Sequence, residues 1–266
     1  MNNTKQIKEF LIFRNNIGVQ TSKKLLREVF GEKMVDTMPM SLLKTLNRKE
    51  GEITNTITDE IISQKLNIVK THLSKFLMSD WVKYIAVTGS IASGAVRGDD
   101  DIDIFVVVKN NTMWIYRALL LLKLKDLARK EFSDDSKNLF CLNLIAEERG
   151  LEFPEDIFNF HELYTMIPVY NLKFKKVIFS KNKWIENWGG RLSKDSDLNY
   201  VPQEGSVIVR VLNTLAFVLQ YIYMKLKGHN PDKRRISKNN KIGRIEFFHE
   251  YFKQEKLSLF NKSLGR

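Results

Sequence analysis

The sequence is short of the residues that mark secreted, fibrous and disordered chains. It has 266 residues, with one cysteine, 5 prolines and 13 glycines. A single cysteine, Cys141, cannot pair within the chain, which excludes a disulfide framework and favours a reducing, cytoplasmic compartment. Glycine and proline are too scarce for a collagen-like or low-complexity chain, and 43% hydrophobic with 28% charged residues is the balance of a globular protein.

Long apolar runs are also scarce. The first ten residues carry charges at short intervals and lack the apolar core of a signal peptide. The most apolar stretch, residues 211–226, contains Asn213, Gln220 and Lys225 and falls short of the roughly 20 apolar residues that span a bilayer. It predicts a buried helix, and no membrane partner is expected.

Acidic residues are fewer than basic residues, and the difference is unevenly distributed along the chain. Lys and Arg number 43 against 31 Asp and Glu, a net charge of +12. Residues 1–80 carry +4, residues 81–180 carry −1 and residues 181–266 carry +9. Basic flanks around an acidic centre would attract a polyanion, such as a nucleoside triphosphate or RNA. The same lysines also serve solubility, so the charge alone identifies no partner.

The hydrophobic pattern predicts three regions in an α+β chain. Residues 1–58 show short stretches with apolar residues three or four apart, which predict three helices, and then a turn or hairpin wing at 47–55. They indicate a helical, winged-helix-like N-terminal module, although three packed helices of another kind fit nearly as well. Residues 59–180 predict the core, and residues 181–266 a basic helical region whose main helix covers 206–227.

The core region alternates strands with helices. A helix over 59–76 precedes strands at 81–88 and 101–108, a helix over 113–127 and a strand at 139–145. Strand, helix and strand in this order predict a mixed sheet with flanking helices.

The segment VTGSIASGAVRGDDDIDIFVVV, residues 87–108, has the clearest chemical meaning. Gly89 and Ser90 follow an apolar strand and open a short helical stretch, so free backbone N–H groups face whatever lies beyond the strand. Gly89 allows an anion to approach the backbone, and the Ser90 hydroxyl can donate to it. The pattern predicts a seat for phosphate.

Two acids, Asp101 and Asp103, stand two residues apart at the start of the following strand. The side-chain period of two puts both carboxylates on one face. Residues 104–108 are apolar on both faces, which is typical of a central strand. Because a like-charged pair beside such a strand needs a metal or strong donors, the pattern predicts a shared divalent cation.

This combination resembles the signature of the DNA polymerase β-like nucleotidyltransferase superfamily: Gly-Ser, a ten-residue gap and then Asp-Ile-Asp-Ile. The resemblance implies that Asp101 and Asp103 are catalytic metal ligands for Mg²⁺ or Mn²⁺. It implies that Gly89 and Ser90 bind the triphosphate of a nucleoside triphosphate. The reaction would be attack of an acceptor hydroxyl on the α-phosphate, with release of pyrophosphate.

A closer resemblance covers roughly residues 60–170. The stretches TMWIYRALLLLKL, FCLNLIAEE and FHELYTMIPVY are similar to segments of bacterial stand-alone nucleotidyltransferase domain proteins. In that group a winged-helix-like segment precedes the transferase core. The resemblance implies a reaction class and leaves the acceptor open.

The third carboxylate of the superfamily is not evident. It usually stands on a later strand, but residues 139–145 read LFCLNLI. Asn143 offers an amide oxygen that cannot serve as a general base. Glu147 and Glu148, just beyond the strand, are the nearest acidic substitutes, and two carboxylates with substrate phosphates can still hold Mg²⁺.

Other candidates have simpler interpretations. Asp99 and Asp100 are interpreted as solvated residues that form a turn. Arg97 is interpreted as an exposed loop residue. Cys141 suits a small core residue.

Two further pairs of residues do not identify a binding or catalytic site. His161 and Glu162 lack the second histidine of a zinc motif, which favours packing or capping for His161. Trp114 and Arg117, one helical turn apart, fit a surface pair or the lining of a base pocket.

The sequence thus predicts a metal-dependent nucleotidyltransferase whose acceptor hydroxyl is not identified, with RNA and protein as candidate acceptors. The alternatives are adenylylation of a partner protein, synthesis of a small or cyclic nucleotide, and a catalytically silent regulator that binds nucleic acid. Base preference and oligomeric state stay open.

Overall fold

The computed structural model describes residues 3–39, 52–129, 137–192, 200–226, 233–246 and 250–265. The helices before the sheet are α1 (Asn3–Asn16), α2 (Lys23–Phe30), α3 (Glu32–Asp36) and α4 (Glu52–Phe76). The core elements follow as β1 (Val82–Val87), α5 (Gly89–Ser93), β2 (Ile102–Val108), α6 (Met113–Leu124) and β3 (Phe140–Glu147). The remaining elements are α7 (Ile157–Thr165), β4 (Ile167–Tyr170), α8 (Phe174–Lys181), α9 (Val207–Leu226), α10 (Lys233–Ile242), β5 (Arg244–Glu246) and α11 (Glu250–Ser263).

The sheet is mixed. Its described strands run in the order β4-β1-β2-β3-β5. Only β2 and β3 pair in parallel, while β1 pairs antiparallel with β2 and β4, and β3 pairs antiparallel with β5. A parallel pair needs a crossover, which α6 supplies. The predicted α+β class and nucleotidyltransferase-type core, a mixed sheet with flanking helices, are confirmed.

Hydrophobic clusters cover both faces of the sheet. On one face, the N-terminal helices, α7 and α8 pack on β1 and β2, with Phe10, Tyr84, Phe105 and Phe160 buried together. On the other face, α4, α6 and parts of α9 and α10 form the second cluster. β2 is buried on both faces, which explains its unbroken run of β-branched and aromatic residues.

The N-terminal region differs from its prediction in one part. Helix α4 begins at Glu52, so residues 52–55 of the predicted hairpin wing are helical, and the wing is wrong there. The predicted third helix and residues 47–51 lie outside the described residues. Since α1 to α3 share a hydrophobic cluster with the sheet, they pack directly on the core, and the boundaries 1–58, 59–180 and 181–266 stay predictions.

The long C-terminal helix α9 overturns another prediction. It was expected to be buried, yet most of its apolar side chains are exposed, among them Leu215 and Leu219. The face that it buries carries the polar residues Asn213 and Gln220, which hydrogen-bond to α6. The inward face also carries Phe217 and Met224, which pack on the second cluster, so hydrogen bonds and apolar contacts together fix the orientation of α9.

Candidate active site

The Gly-Ser turn lies directly against the second aspartate. β1 ends at Val87, and the Thr88 N–H donates to the Asp103 carbonyl at 3.0 Å, which ties the turn to β2. Gly89 has a φ of +65°, and a Cβ at this position would overlap the Asp103 carboxylate. Only glycine satisfies both the left-handed backbone and the close approach. Ser90 follows at the start of α5, so the structure brings the predicted phosphate seat to the predicted acids.

The two aspartates converge as their spacing predicted. Asp101 immediately precedes β2 and Asp103 is its second residue. Their carboxylates and the Cys141 thiol each offer one atom, and these atoms lie within 4.8 Å of one another. Cys141 enters the site because it is the register partner of Asp103 in the parallel β2–β3 pair.

Cys141 was interpreted as a core residue, and the structure adds it to the site. Burial, followed by the negative charges of Asp103 and Asp101, raises the pKa of its thiol far above the usual range. The thiol is therefore neutral, and a neutral thiol is a poor ligand for a hard cation. The only sequence signal for its position was strand register, which requires knowledge of which strands pair.

Arg129 is a second site residue that the sequence did not reveal. Its Nη1 lies 2.6 Å from Asp101 Oδ2, and its guanidinium is 44% exposed. The Arg129 N–H donates to the Phe140 carbonyl at 2.9 Å, which anchors this residue beside the first residue of β3. The pairing holds a positive charge at the mouth of the acidic cluster.

Buried contacts shape the loop before β2. Lys65 on α4 donates from Nζ to the Asp100 carbonyl at 2.6 Å and to Asn138 Oδ1 at 3.0 Å. Burial lowers the pKa of this lysine, although nearby Asp100 and Asp101 oppose the effect. The Asp100 carboxylate accepts from the Arg97 N–H at 2.9 Å, in agreement with its interpretation as a turn former.

Residues 69–164 match the nucleotidyltransferase domain family. This part of the chain is similar to nucleotidyltransferase domains. The match extends from within α4 to near the end of α7, and thus includes the Gly-Ser turn, both aspartates and Cys141. It is consistent with the polymerase β-like superfamily. No curated protein and no solved structure matches the chain.

The acidic substitutes considered for the third carboxylate lie away from this nucleotidyltransferase site. Glu147 pairs in register with Val108, whereas Asp103 pairs with Cys141. Five residues of strand separate them, about 17 Å at ~3.4 Å per residue. Asn143 belongs to β3, but its side chain lies outside the described part of the structure.

Both glutamates have structural partners at that distant end. Glu147 is 1% exposed and accepts from Arg149 Nε at 2.7 Å. Glu148 accepts from the Gln203 N–H at 2.6 Å, and burial raises the pKa of its carboxyl. These contacts explain why two acids stand at the end of an apolar strand without belonging to the site.

His161 has the packing role that was favoured. It is buried against Phe13, and Arg14 Nη1 lies 2.9 Å from its Nε2. Arg14 also donates to the Ser93 carbonyl at 3.0 Å, so this arginine joins the N-terminal helix to the end of α5.

Trp114 and Arg117 do not line a base pocket. Trp114 is buried, and its indole N–H donates to Asn240 Oδ1 at 2.8 Å. Arg117 Nη1 donates to Gln220 Oε1 at 2.6 Å. Both residues attach the C-terminal helices to the nucleotidyltransferase domain.

The donor set fits a divalent cation. Two carboxylates on one face give hard oxygen ligands, which Mg²⁺ and Mn²⁺ prefer, and substrate phosphates and water can complete the coordination. Because Gly89 has no side chain, the Asp103 carboxylate can lie directly against the adjacent turn.

Proposed function

We propose that the chain transfers a nucleoside monophosphate from a nucleoside triphosphate to an acceptor hydroxyl, with release of pyrophosphate. The contact between Gly89 and the Asp103 carboxylate carries this proposal, because it sets a phosphate seat beside a pair of metal-binding acids. The match of residues 69–164 to the nucleotidyltransferase domain family supports the same reaction class and a nucleoside triphosphate as substrate.

Each site residue has a role in this proposal. Asp101 and Asp103 would hold Mg²⁺ or Mn²⁺, and Ser90 would donate its hydroxyl to the β and γ phosphates. The bound cation would neutralise charge that develops on the phosphates. The acceptor hydroxyl oxygen would bond to the α-phosphorus as the bond to the bridging oxygen breaks, the hydroxyl proton would pass to water, and pyrophosphate would leave.

Arg129 would change partners during the reaction. In this structure it pairs with Asp101, and its side chain is partly exposed. If Asp101 held a cation instead, the guanidinium would be free to meet a phosphate, for which its planar fork is well suited.

For the acceptor, only the chemical class, a hydroxyl group, is proposed. A net charge of +9 over residues 181–266 favours a polyanionic acceptor such as RNA. A protein hydroxyl and a second nucleotide are the other acceptors. The lack of an acid in residues 139–145 favours one further candidate, a catalytically silent regulator that binds nucleic acid. The reduced Cys141 thiol suits a reducing compartment, and we therefore propose a cytoplasmic location.

A labelling experiment tests the reaction. Purified protein is incubated with α-labelled ATP, CTP, GTP or UTP, Mg²⁺ and either RNA or a protein extract, beside the variant Asp101→Asn/Asp103→Asn. We expect label in RNA, in a polypeptide or in a soluble product with the wild type, and none with the variant. Equal signals from both proteins would contradict the proposal, and salt-sensitive RNA binding without turnover would support the silent regulator.

A further inference from the structure

Helix α9 turns its apolar face to the solvent, whereas an ordinary surface helix turns its apolar face to the core. Its inner face carries Asn213 and Gln220 beside the packed Phe217 and Met224, while its outer face is apolar along its whole length. An apolar stripe runs down that outer face with spacings of three or four residues, through Ile208, Val211, Leu215, Val218, Ile222 and Leu226, and Leu226 is 81% exposed. Apolar residues at this spacing form the contact seam of paired helices.

The inner face is held by specific hydrogen bonds. Asn213 Oδ1 accepts from the Trp114 N–H at 2.7 Å and from the Ile115 N–H at 3.2 Å. Gln220 Nε2 donates to the Trp114 carbonyl at 2.8 Å. Rotating α9 to bury its apolar face would leave these groups, and the N–H groups at the start of α6, without those partners. The outward orientation is therefore built into the fold.

The exposed area is that of a protein interface. Ten apolar side chains of α9 are exposed. At about 100 Å² each they offer on the order of 1,000 Å². That exceeds the roughly 300–600 Å² of the largest apolar patch on an ordinary monomer. It matches the ~800 Å² per partner of a stable complex.

A lipid bilayer is a poorer partner for the exposed apolar face of α9 than another protein surface. In length and composition α9 would suit a membrane span. However, lipid cannot surround a helix that is hydrogen-bonded to α6 along one side. A helix lying on a membrane surface typically has many lysines and arginines beside its apolar face. The charged residues of α9 are Arg210 and Lys225, and it has no acid.

The undescribed stretches that flank α9 in the chain also fit poorly as a cover for its exposed face. The stretches on either side of α9 that the structure does not describe are residues 193–199 and 227–232, which read SKDSDLN and KGHNPD. They contain one large apolar residue, Leu198, too little to cover six exposed positions.

We propose that the outer face of α9 pairs with the same face of a second copy of this chain, forming a two-fold symmetric dimer. A chain of net charge +12 repels its own copies, so self-association needs a contact free of charge at its centre. The stripe supplies such a contact, and an isologous interface requires only that the patch complement itself. The proposal does not depend on the proposed reaction.

Sedimentation equilibrium and light scattering test the dimer. We expect wild type at micromolar concentration to have twice the 31.1 kDa mass of one chain. Leu215→Glu/Ile222→Glu should restore the monomer mass with an unchanged circular dichroism spectrum. Leu172→Glu/Tyr251→Glu, which charges two exposed apolar residues outside α9, should remain dimeric.

Three results would overturn the proposal. One is a wild type of single-chain mass at all concentrations. Another is a dimer that survives Leu215→Glu/Ile222→Glu. The third is a monomer that sediments with vesicles of mixed zwitterionic and anionic lipid and loses that binding in the same variant, which would make a membrane the occupant of α9.

Discussion

Acidic side chains lie at both ends of the β2–β3 strand pair, and their surroundings differ. At one end, the Asp101 and Asp103 carboxylates converge beside the Cys141 thiol and the Gly89 turn, and Asp101 pairs with the half-exposed Arg129. At the other, Glu147 is fully buried against Arg149, and Glu148 accepts a backbone hydrogen bond. The first arrangement brings two carboxylates within reach of one cation, whereas each acid of the second accepts from its own partner in the fold. The first therefore has the character of a metal site.

The largest expected effect separates the two ends directly. Asp103→Asn should lower nucleotidyl transfer by at least about 100-fold, the order of loss for one key electrostatic group. Its free energy of unfolding should not fall, because the change removes one of two neighbouring negative charges. Labelled transfer and urea denaturation measure the two quantities.

Glu147→Gln is the matched variant at the other end. It should leave transfer unchanged and lower the free energy of unfolding by about 1–3 kcal/mol, because Arg149 loses its ionic partner. If Glu147→Gln abolished transfer while Asp103→Asn did not, the site would lie at the wrong end of the strands.

The Gly-Ser turn gives the next largest effect. Gly89→Ala should weaken Mn²⁺ binding by about tenfold or more, equal to ~1.4 kcal/mol, because the new methyl group would displace the Asp103 carboxylate. Gly98→Ala, in the same loop but with open space around it, should bind Mn²⁺ as wild type does. Calorimetric titration compares them, and equal affinities would show that the turn does not contact the metal site.

A several-fold effect is expected at Cys141. Cys141→Asp should tighten Mg²⁺ binding because it adds a hard oxygen ligand where the neutral thiol contributes none. Cys141→Ser should bind Mg²⁺ within about threefold of wild type, since it replaces one neutral side chain by another. Titration calorimetry measures both, and strongly weakened binding in Cys141→Ser would show that the thiol is itself a ligand.

The smallest effect concerns the pH dependence at the structural end. Burial raises the pKa of Glu148 above its ordinary 4.5, so the folded protein holds this proton more tightly than the unfolded chain does. The resulting stabilisation is complete below pH 4.5 and is lost as the pH rises through the folded-state pKa, with a slope of at most about 1.4 kcal/mol per pH unit.

Glu148→Gln should remove that slope. Urea denaturation across this range compares the two proteins, and parallel curves would show that Glu148 is not strained by burial.

The sequence predicted the elements around the site because local patterns determine them. The apolar strand before Gly89 and the two-residue spacing of Asp101 and Asp103 each identify their own geometry. The sequence did not identify Cys141 and Arg129 as site residues, because their positions depend on the parallel pairing of β2 with β3, which no local pattern specifies. Helix α9 was misjudged because apolar content predicts burial, whereas the inward face is set by hydrogen bonds to α6 together with the packing of Phe217 and Met224, which leaves ten apolar side chains exposed.

Anomalous diffraction from a crystal grown with Mn²⁺ and a non-hydrolysable nucleoside triphosphate tests the central claim most directly. We expect a manganese peak about 2.0–2.3 Å from one oxygen of Asp101 and one of Asp103, with the triphosphate against Gly89 and Ser90. Carboxylates that point away from the ion, or a triphosphate bound elsewhere on the chain, would contradict it.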